Sequence, residues 1–308
     1  LAVCADRSTY KFTGLMERTD IALPHSLVAI PNGKDWVFHN PGAKYMPYGH
    51  LDWQHDNVSA LVPDKKKLII IKTQAATPEH NTAKSQAVLK LSENGDLSGS
   101  FTVTAAGNEG LTFKQGMDER SESERKDIIL EALGKTWPNG KFTNIVIENA
   151  DHPFEPLKIT ADILLPSYAE VVGDRLFFQP NVEHRYAEPK FPSAVRKTPL
   201  FFDFKYREVA NIEILLPDGY ALEAPSAPVP FQVEGFMEYS PKLAFNKTKN
   251  SIIYDRTLDF FGDTYVPEAY PLIKKAFDDL IAQDHHALTL KKQETSTATE
   301  NPSSADNS

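Results

Sequence analysis

Apolar side chains recur at alternate positions in several stretches of this chain, and turn-forming residues separate those stretches. Near the C-terminal end, Ile252, Tyr254, Leu258 and Phe260 alternate with Asp255, Thr257 and Asp259. That is the period of a strand with one face buried. Lys242 to Phe245 runs into it through a turn at residues 246–250. Ala87 to Leu91 and Leu97 to Ala105 flank Glu93-Asn94-Gly95-Asp96, and an Asn-Gly pair supplies the positive φ angles of a tight hairpin. A second strand pair is expected from Asn211 to Leu216 and Tyr220 to Ala224, turning at Pro217-Asp218-Gly219. The run Leu68-Ile69-Ile70-Ile71 predicts a fully buried strand.

Two segments read as helices. Ser121 and Glu124 form a capping box ahead of Ile128, Ile129, Leu130 and Leu133, with Gly134 as the stop. Pro267 opens the second, where its missing N–H is harmless, and Tyr270, Ile273, Phe277, Leu280 and Ile281 share one face. Two helices among many antiparallel strands predict an α+β fold that is mainly β.

Charge and cysteine content narrow the function. With 33 Lys and Arg against 42 Asp and Glu, the net charge of −9 disfavours nucleic acid and anionic membrane as partners. The only basic cluster is Lys65-Lys66-Lys67. No apolar run approaches the ~18 residues of a membrane span. One cysteine excludes an internal disulfide framework. The chain opens at Leu1 and is expected to be a fragment or a processed chain.

The first fifty residues hold the richest chemistry. Cys4 precedes a segment expected to be helical to about Met16, which would put the thiol at a helix N-terminus, where the dipole favours thiolate. His25 opens Ser26-Leu27-Val28-Ala29-Ile30, and Asn40 follows Trp36-Val37-Phe38-His39. Thiol, imidazole and amide in that order suit a nucleophile, its base and the base's orienter. A single cysteine is most often a small core residue, and nine histidines make such an order almost inevitable. His50 and His55 with Asp52 and Asp56 match no usual zinc spacing and read as a polar loop. His285-His286 read as a helix end. No metal or cofactor is expected. Phe201, Phe202, Phe204, Tyr206, Phe260 and Phe261 read as sheet core.

Residues 25–62 resemble the second half of the transglutaminase-like domain of multidomain bacterial cell-envelope proteins. The resemblance rests on His25 at a strand head, Phe38-His39-Asn40-Pro41-Gly42 beside the family's Trp-Leu-Asp-Pro-Thr, and Tyr45-Met46-Pro47-Tyr48-Gly49-His50-Leu51. Further on, Gly95-Asp96-Leu97-Ser98-Gly99 and Leu215-Leu216-Pro217-Asp218-Gly219-Tyr220 look like the family's strand entry and its Leu-Pro-Glu/Asp-Gly-Tyr turn. The final strand-then-helix unit is similar to the family's closing β-rich domain of unknown function.

The resemblance implies Cys4 as nucleophile, His25 as base and Asn40 as third member, acting on a protein or peptide substrate in the periplasm or cell envelope. Two departures imply impaired catalysis and a binding or scaffolding role instead. Asn40 stands where the family usually has Asp, and only 20 residues separate Cys4 from His25. A helix to Met16 would rise roughly 18 Å, and eight further residues reach at most about 26 Å, so closure requires a nearly straight connection. The expected layout is a truncated transglutaminase-like unit over 1–63 and a β-rich domain over 64–198 carrying the helix 121–134. A second β-rich domain over 199–292 carries the helix 267–284, and a disordered tail over 293–308 has no large apolar side chain.

Overall fold

The computed structural model describes residues 1–8, 23–64 and 67–293. Most of the helix expected after Cys4, Lys65 and Lys66 of the basic cluster, and the expected tail beyond Gln293 lie outside the described residues.

The fold is α+β and mainly β. A first sheet is built from β1 (Ala2–Cys4), β2 (His25–Asn32), β3 (Asp35–His39), β4 (Ser59–Asp64) and β5 (Lys67–Lys72), in the order β3-β2-β1-β4-β5. Cys4 therefore ends a strand and does not open a helix: β1 pairs with β2 through Cys4↔His25 and with β4 through Cys4↔Ala60. Pairing on both edges uses the backbone groups that a helix start would leave free.

The apolar run in β5 is also placed otherwise than expected. Ile69 and Ile71 lie opposite the buried Val62 and Ala60, whereas Leu68 and Ile70 are 66% and 58% exposed. This strand is a sheet edge with one covered face, and a period of two splits a continuous apolar run between core and solvent.

The remaining strands form one large sheet and two small ones. The large sheet takes β6 (Thr82–Leu91), β7 (Leu97–Ala105), β8 (Lys141–Glu148), β9 (Leu157–Leu165), β13 (Tyr206–Leu215), β15 (Phe231–Val233), β16 (Met237–Asn246) and β17 (Ser251–Phe260). Their order is β15-β16-β17-β13-β6-β7-β9-β8, antiparallel except where β13 runs parallel to β6. The four-stranded sheet contains β10 (Glu170–Val172), β11 (Arg175–Phe178), β14 (Tyr220–Glu223) and β19 (Leu288–Lys292); β12 (Leu200–Phe201) pairs with β18 (Thr264–Tyr265).

The hairpins β6–β7 and β16–β17 form where the turn residues place them. At the first, Gly95 has φ +87°, and a Cβ there would sit 2.4 Å from the Ala169 carbonyl oxygen. The pair expected around Pro217-Asp218-Gly219 does not form. Strands β17 and β6 already flank β13, so the chain turns out of the sheet and β14 pairs with β19. The β4–β5 hairpin spans residues 63 and 64, and the large sheet draws strands from both sides of residue 198.

Three α-helices are present among the described residues: α1 (Asn108–Met117), α2 (Glu122–Thr136) and α3 (Tyr270–Asp284). The Ser121 side chain caps α2, and Glu124 bonds back to the Ser121 N–H at 2.9 Å. Gly134 does not stop α2. The helix continues until the buried Trp137, whose indole N–H donates to the Val182 carbonyl at 2.8 Å. Helix α1 was not expected, because Gly110, Lys114 and Gly116 leave it no continuous apolar stripe.

Two cores result. One gathers Met117, Ile129, Leu133 and Trp137 with Leu89, Leu97, Ile163 and Ile214 of the large sheet. The other packs Tyr270, Ile273, Phe277 and Leu280 of α3 on Phe202, Phe236, Leu258 and Phe260.

Candidate functional site

Cross-strand pairing brings Cys4 and His25 to opposed positions on the first sheet. The two side chains have different surroundings. Cys4 is fully buried. Burial, then the negative charges of Asp52 and Asp6, push its thiol up to about 12, so at neutral pH it is a protonated thiol. The His25 side chain is 45% exposed, and its Nε2 lies 3.3 Å from an Asp6 carboxylate oxygen. Asp6 in turn accepts hydrogen bonds from the backbone N–H and hydroxyl of Ser8.

Asn40 does not orient His25. Its side-chain amide donates to Asp52 Oδ1 at 3.1 Å, and its own oxygen accepts from the Gly42 N–H. The other Asp52 oxygen lies 2.6 Å from His55 Nδ1. Burial opposes ionisation of Asp52, but hydrogen bonds from His55 and Asn40 outweigh it and hold the carboxyl below its usual range. Asp52, His55 and Asp56 are all buried, so this polar segment is a packed network.

The ionised Asp52 fixes the tautomer of His55. With a proton held on Nδ1, neutral His55 keeps an unprotonated Nε2, and that buried atom has no hydrogen-bond partner among the described residues. The His25 ring stands edge-on to it, centroids 4.7 Å apart. Asp52 and His55 are positioned by one 3₁₀ turn, Trp53–His55, whose end is tied down by the Thr73 hydroxyl donating to the His55 carbonyl. An Asp-x-x-His spacing in a tight turn was the one signal in the sequence that could have flagged this pair.

The described residues thus hold a buried carboxylate–imidazole pair, a partly exposed second imidazole and a neutral buried thiol. Such a set can accept or relay a proton, but it does not supply an activated sulfur nucleophile. No group of three or more metal-ligating side chains converges among the described residues.

Other histidines sit elsewhere. His50 and His80 face each other at 4.6 Å between two small cavities of about 140 and 220 Å³. Burial and the neighbouring His80 lower the pKa of His50. His80 Nδ1 accepts the Thr77 N–H, which leaves its proton on Nε2 and disfavours metal ligation there. The His285 and His286 rings lie against the carbonyls of His184 and Ser226, not against the last carbonyls of α3.

A third polar cluster is structural in position. Arg256, almost wholly buried, donates twice to Asp284 at 2.9 Å and once to Glu208 at 2.7 Å. Asp284 also accepts from Asn181 and Tyr239.

A search of curated proteins finds no match to this chain. Residues 174–290, from just before β11 to within β19, match the family model described as a Domain of Unknown Function with solved-structure structure (DUF3858). That stretch is a little over a third of the chain and contains none of Cys4, His25, Asn40, Asp52 or His55.

Proposed function

We propose that this chain is the trailing part of a transglutaminase-like cell-envelope protein, periplasmic in location, whose β-rich body binds or scaffolds other proteins without turnover at Cys4. The burial of Cys4 at the end of a strand paired on both edges carries this reading, with its thiol held protonated. Asn40 bonded to Asp52, and not to His25, supports it. The test is the rate at which a soluble maleimide or iodoacetamide labels the native protein between neutral and alkaline pH. Labelling of Cys4 should be negligible at neutral pH and comparable to a free thiol only after denaturation. Rapid labelling of the folded protein at neutral pH, lost in His25→Ala, would overturn the reading.

The alternative is a thiol acyltransferase or peptidase using Cys4, His25 and Asn40. The observation in its favour is the direct opposition of Cys4 and His25 across β1 and β2. It requires amidase or peptidase turnover that Cys4→Ala abolishes.

A further inference from the structure

Strand β5 has β4 on one side and no described strand on the other, so the β4–β5 hairpin is the rim of the first sheet. Register puts Leu68 beside Pro63 and Ile70 beside Leu61 on one face, and Leu61 beside Val3 of β1. Leu68 and Ile70 are more than half exposed and Pro63 is exposed as well, whereas Leu61 and Val3 are half-buried. This aliphatic face therefore becomes barer towards the rim. Ile69 and Ile71, one residue out of step, pack against the core of the first sheet on the other face, so Leu68 and Ile70 are surplus to that core.

The same hairpin carries the basic cluster. Between residues 57 and 78 the chain has Lys65, Lys66, Lys67 and Lys72 against a single acid, Asp64. Lys67 and Lys72 are exposed, and neither forms an ion pair among the described residues; Lys72 donates to the Asn57 carbonyl at 3.3 Å. The net charge of −9 disfavours an anionic surface for the chain as a whole. Screening confines that repulsion to about 8–10 Å, so the charge presented at the contact decides, and on this hairpin it is positive. Lysine and exposed aliphatic residues adjoin along one short strand, and the cavities beside His50 and His80 are lined by other residues. Such a surface suits a fluid apolar layer bounded by anionic groups. A second copy of the chain fits less well, because antiparallel pairing of two β5 strands would bring their lysines together.

We propose that the β4–β5 hairpin docks this protein on an anionic phospholipid bilayer, with Leu68 and Ile70 in the acyl boundary and Lys67 and Lys72 on the headgroup phosphates. The long lysine stems let the ammonium groups stay at the phosphates while the aliphatic neighbours go deeper. Neither contribution suffices alone: a few lysines attract weakly, and two aliphatic side chains bury little area. The proposal goes beyond the binding-module reading and does not rest on it. A failed vesicle experiment would remove the docking surface, whereas Cys4 labelling decides the role of the thiol independently.

The test is sedimentation of the full chain with vesicles of phosphatidylcholine, alone or mixed equally with phosphatidylglycerol, at low and at high salt. The mixed vesicles should bind the protein at least roughly tenfold more strongly than the neutral ones, and high salt should weaken that binding. K67E/K72E and L68S/I70S, both at exposed positions, should each weaken it at least roughly tenfold. Leu68→Trp supplies a signal that misfolding does not mimic: the added emission should shift to the blue on mixed vesicles and be quenched by brominated acyl chains. No sedimentation with the mixed vesicles overturns the proposal and leaves the hairpin to a protein partner. Equal binding to neutral vesicles overturns it as well, as does undiminished binding by either double variant or added emission that brominated lipid leaves unchanged.

Discussion

Replacing Arg256 by Met removes the centre of the buried cluster beneath α3 while roughly keeping the volume of the side chain. Three hydrogen bonds donated by Arg256 disappear, two to Asp284 and one to Glu208. Asp284 keeps Asn181 and Tyr239 as donors, but no cation among the described residues remains paired with it. Glu208 keeps His184, at 3.6 Å, and the weaker attraction of Lys190. Breaking a buried ion pair from one side costs about 3–5 kcal/mol, because the remaining charge stays desolvated. That is a large part of the ~5–15 kcal/mol that holds a domain together.

The cost should also depend on pH, with a definite sign. Burial alone would raise the Glu208 carboxyl, but Arg256 and then His184 hold it below its usual range. In the native protein this stabilisation is present above the unfolded-state value near 4.5 and is lost as pH falls through the lower folded value. Without Arg256 the order reverses, and the folded variant gains relative stability as its carboxyls protonate. Urea unfolding followed by tryptophan fluorescence should therefore show the deficit of Arg256→Met shrinking from neutral pH towards about pH 4. A neutral-pH cost below about 1 kcal/mol, or a deficit that does not change with pH, would refute the argument that these charges depend on one another.

Other outcomes follow from the same physics. Burial, then the nearby Glu208, raise Glu109 from 4.5 to about 7, a difference of about 3 kcal/mol. This residue's stabilisation is full below pH 4.5 and declines as pH rises through 7, so Glu109→Gln should match the native protein at pH 4 and exceed it at pH 8 in chemical denaturation. Asp52→Asn should cost about 2 kcal/mol at neutral pH. Because the native Asp52 carboxyl is depressed below 3.8, that difference should fade only as pH drops below this value. Gly107 has φ +60°, and an added Cβ would lie 2.1 Å from the His80 carbonyl oxygen. Gly107→Ala should therefore lose at least about 2 kcal/mol, seen as a Tm lower by several degrees. Leu68→Lys, on the exposed edge of β5, should change stability by less than about 0.5 kcal/mol and reduce self-association in light scattering.

Local features of the chain were sufficient for several elements. Gly95 supplies the positive φ of the β6–β7 turn because it has no Cβ, a property local to that residue. Ser121 and Glu124 cap α2 by bonds that reach only three residues. The alternation from Ile252 to Phe260 declares a half-buried strand because the side-chain period is intrinsic to extended backbone. The mainly β composition of the fold follows from these.

Which partner each strand takes was decided elsewhere. Whether Tyr220 to Glu223 returns to β13 or joins β19 depends on strands more than a hundred residues apart already occupying both edges of β13. Leu68 to Ile71 is exposed or buried according to which face of the first sheet is covered, and that is not written in the run itself. The environment of Cys4 changed for the same reason: β2 and β4 enclose it as a strand residue, and that burial, then the remote Asp52 and the neighbouring Asp6, raise its thiol. Asp52 and His55 became a buried pair only through Asn40 and Thr73, which approach from other segments. Short-range preferences set the elements, because torsion angles and capping are local. Tertiary contact set register, burial and charge environment, because desolvation and pairing depend on groups brought together only by the folded chain.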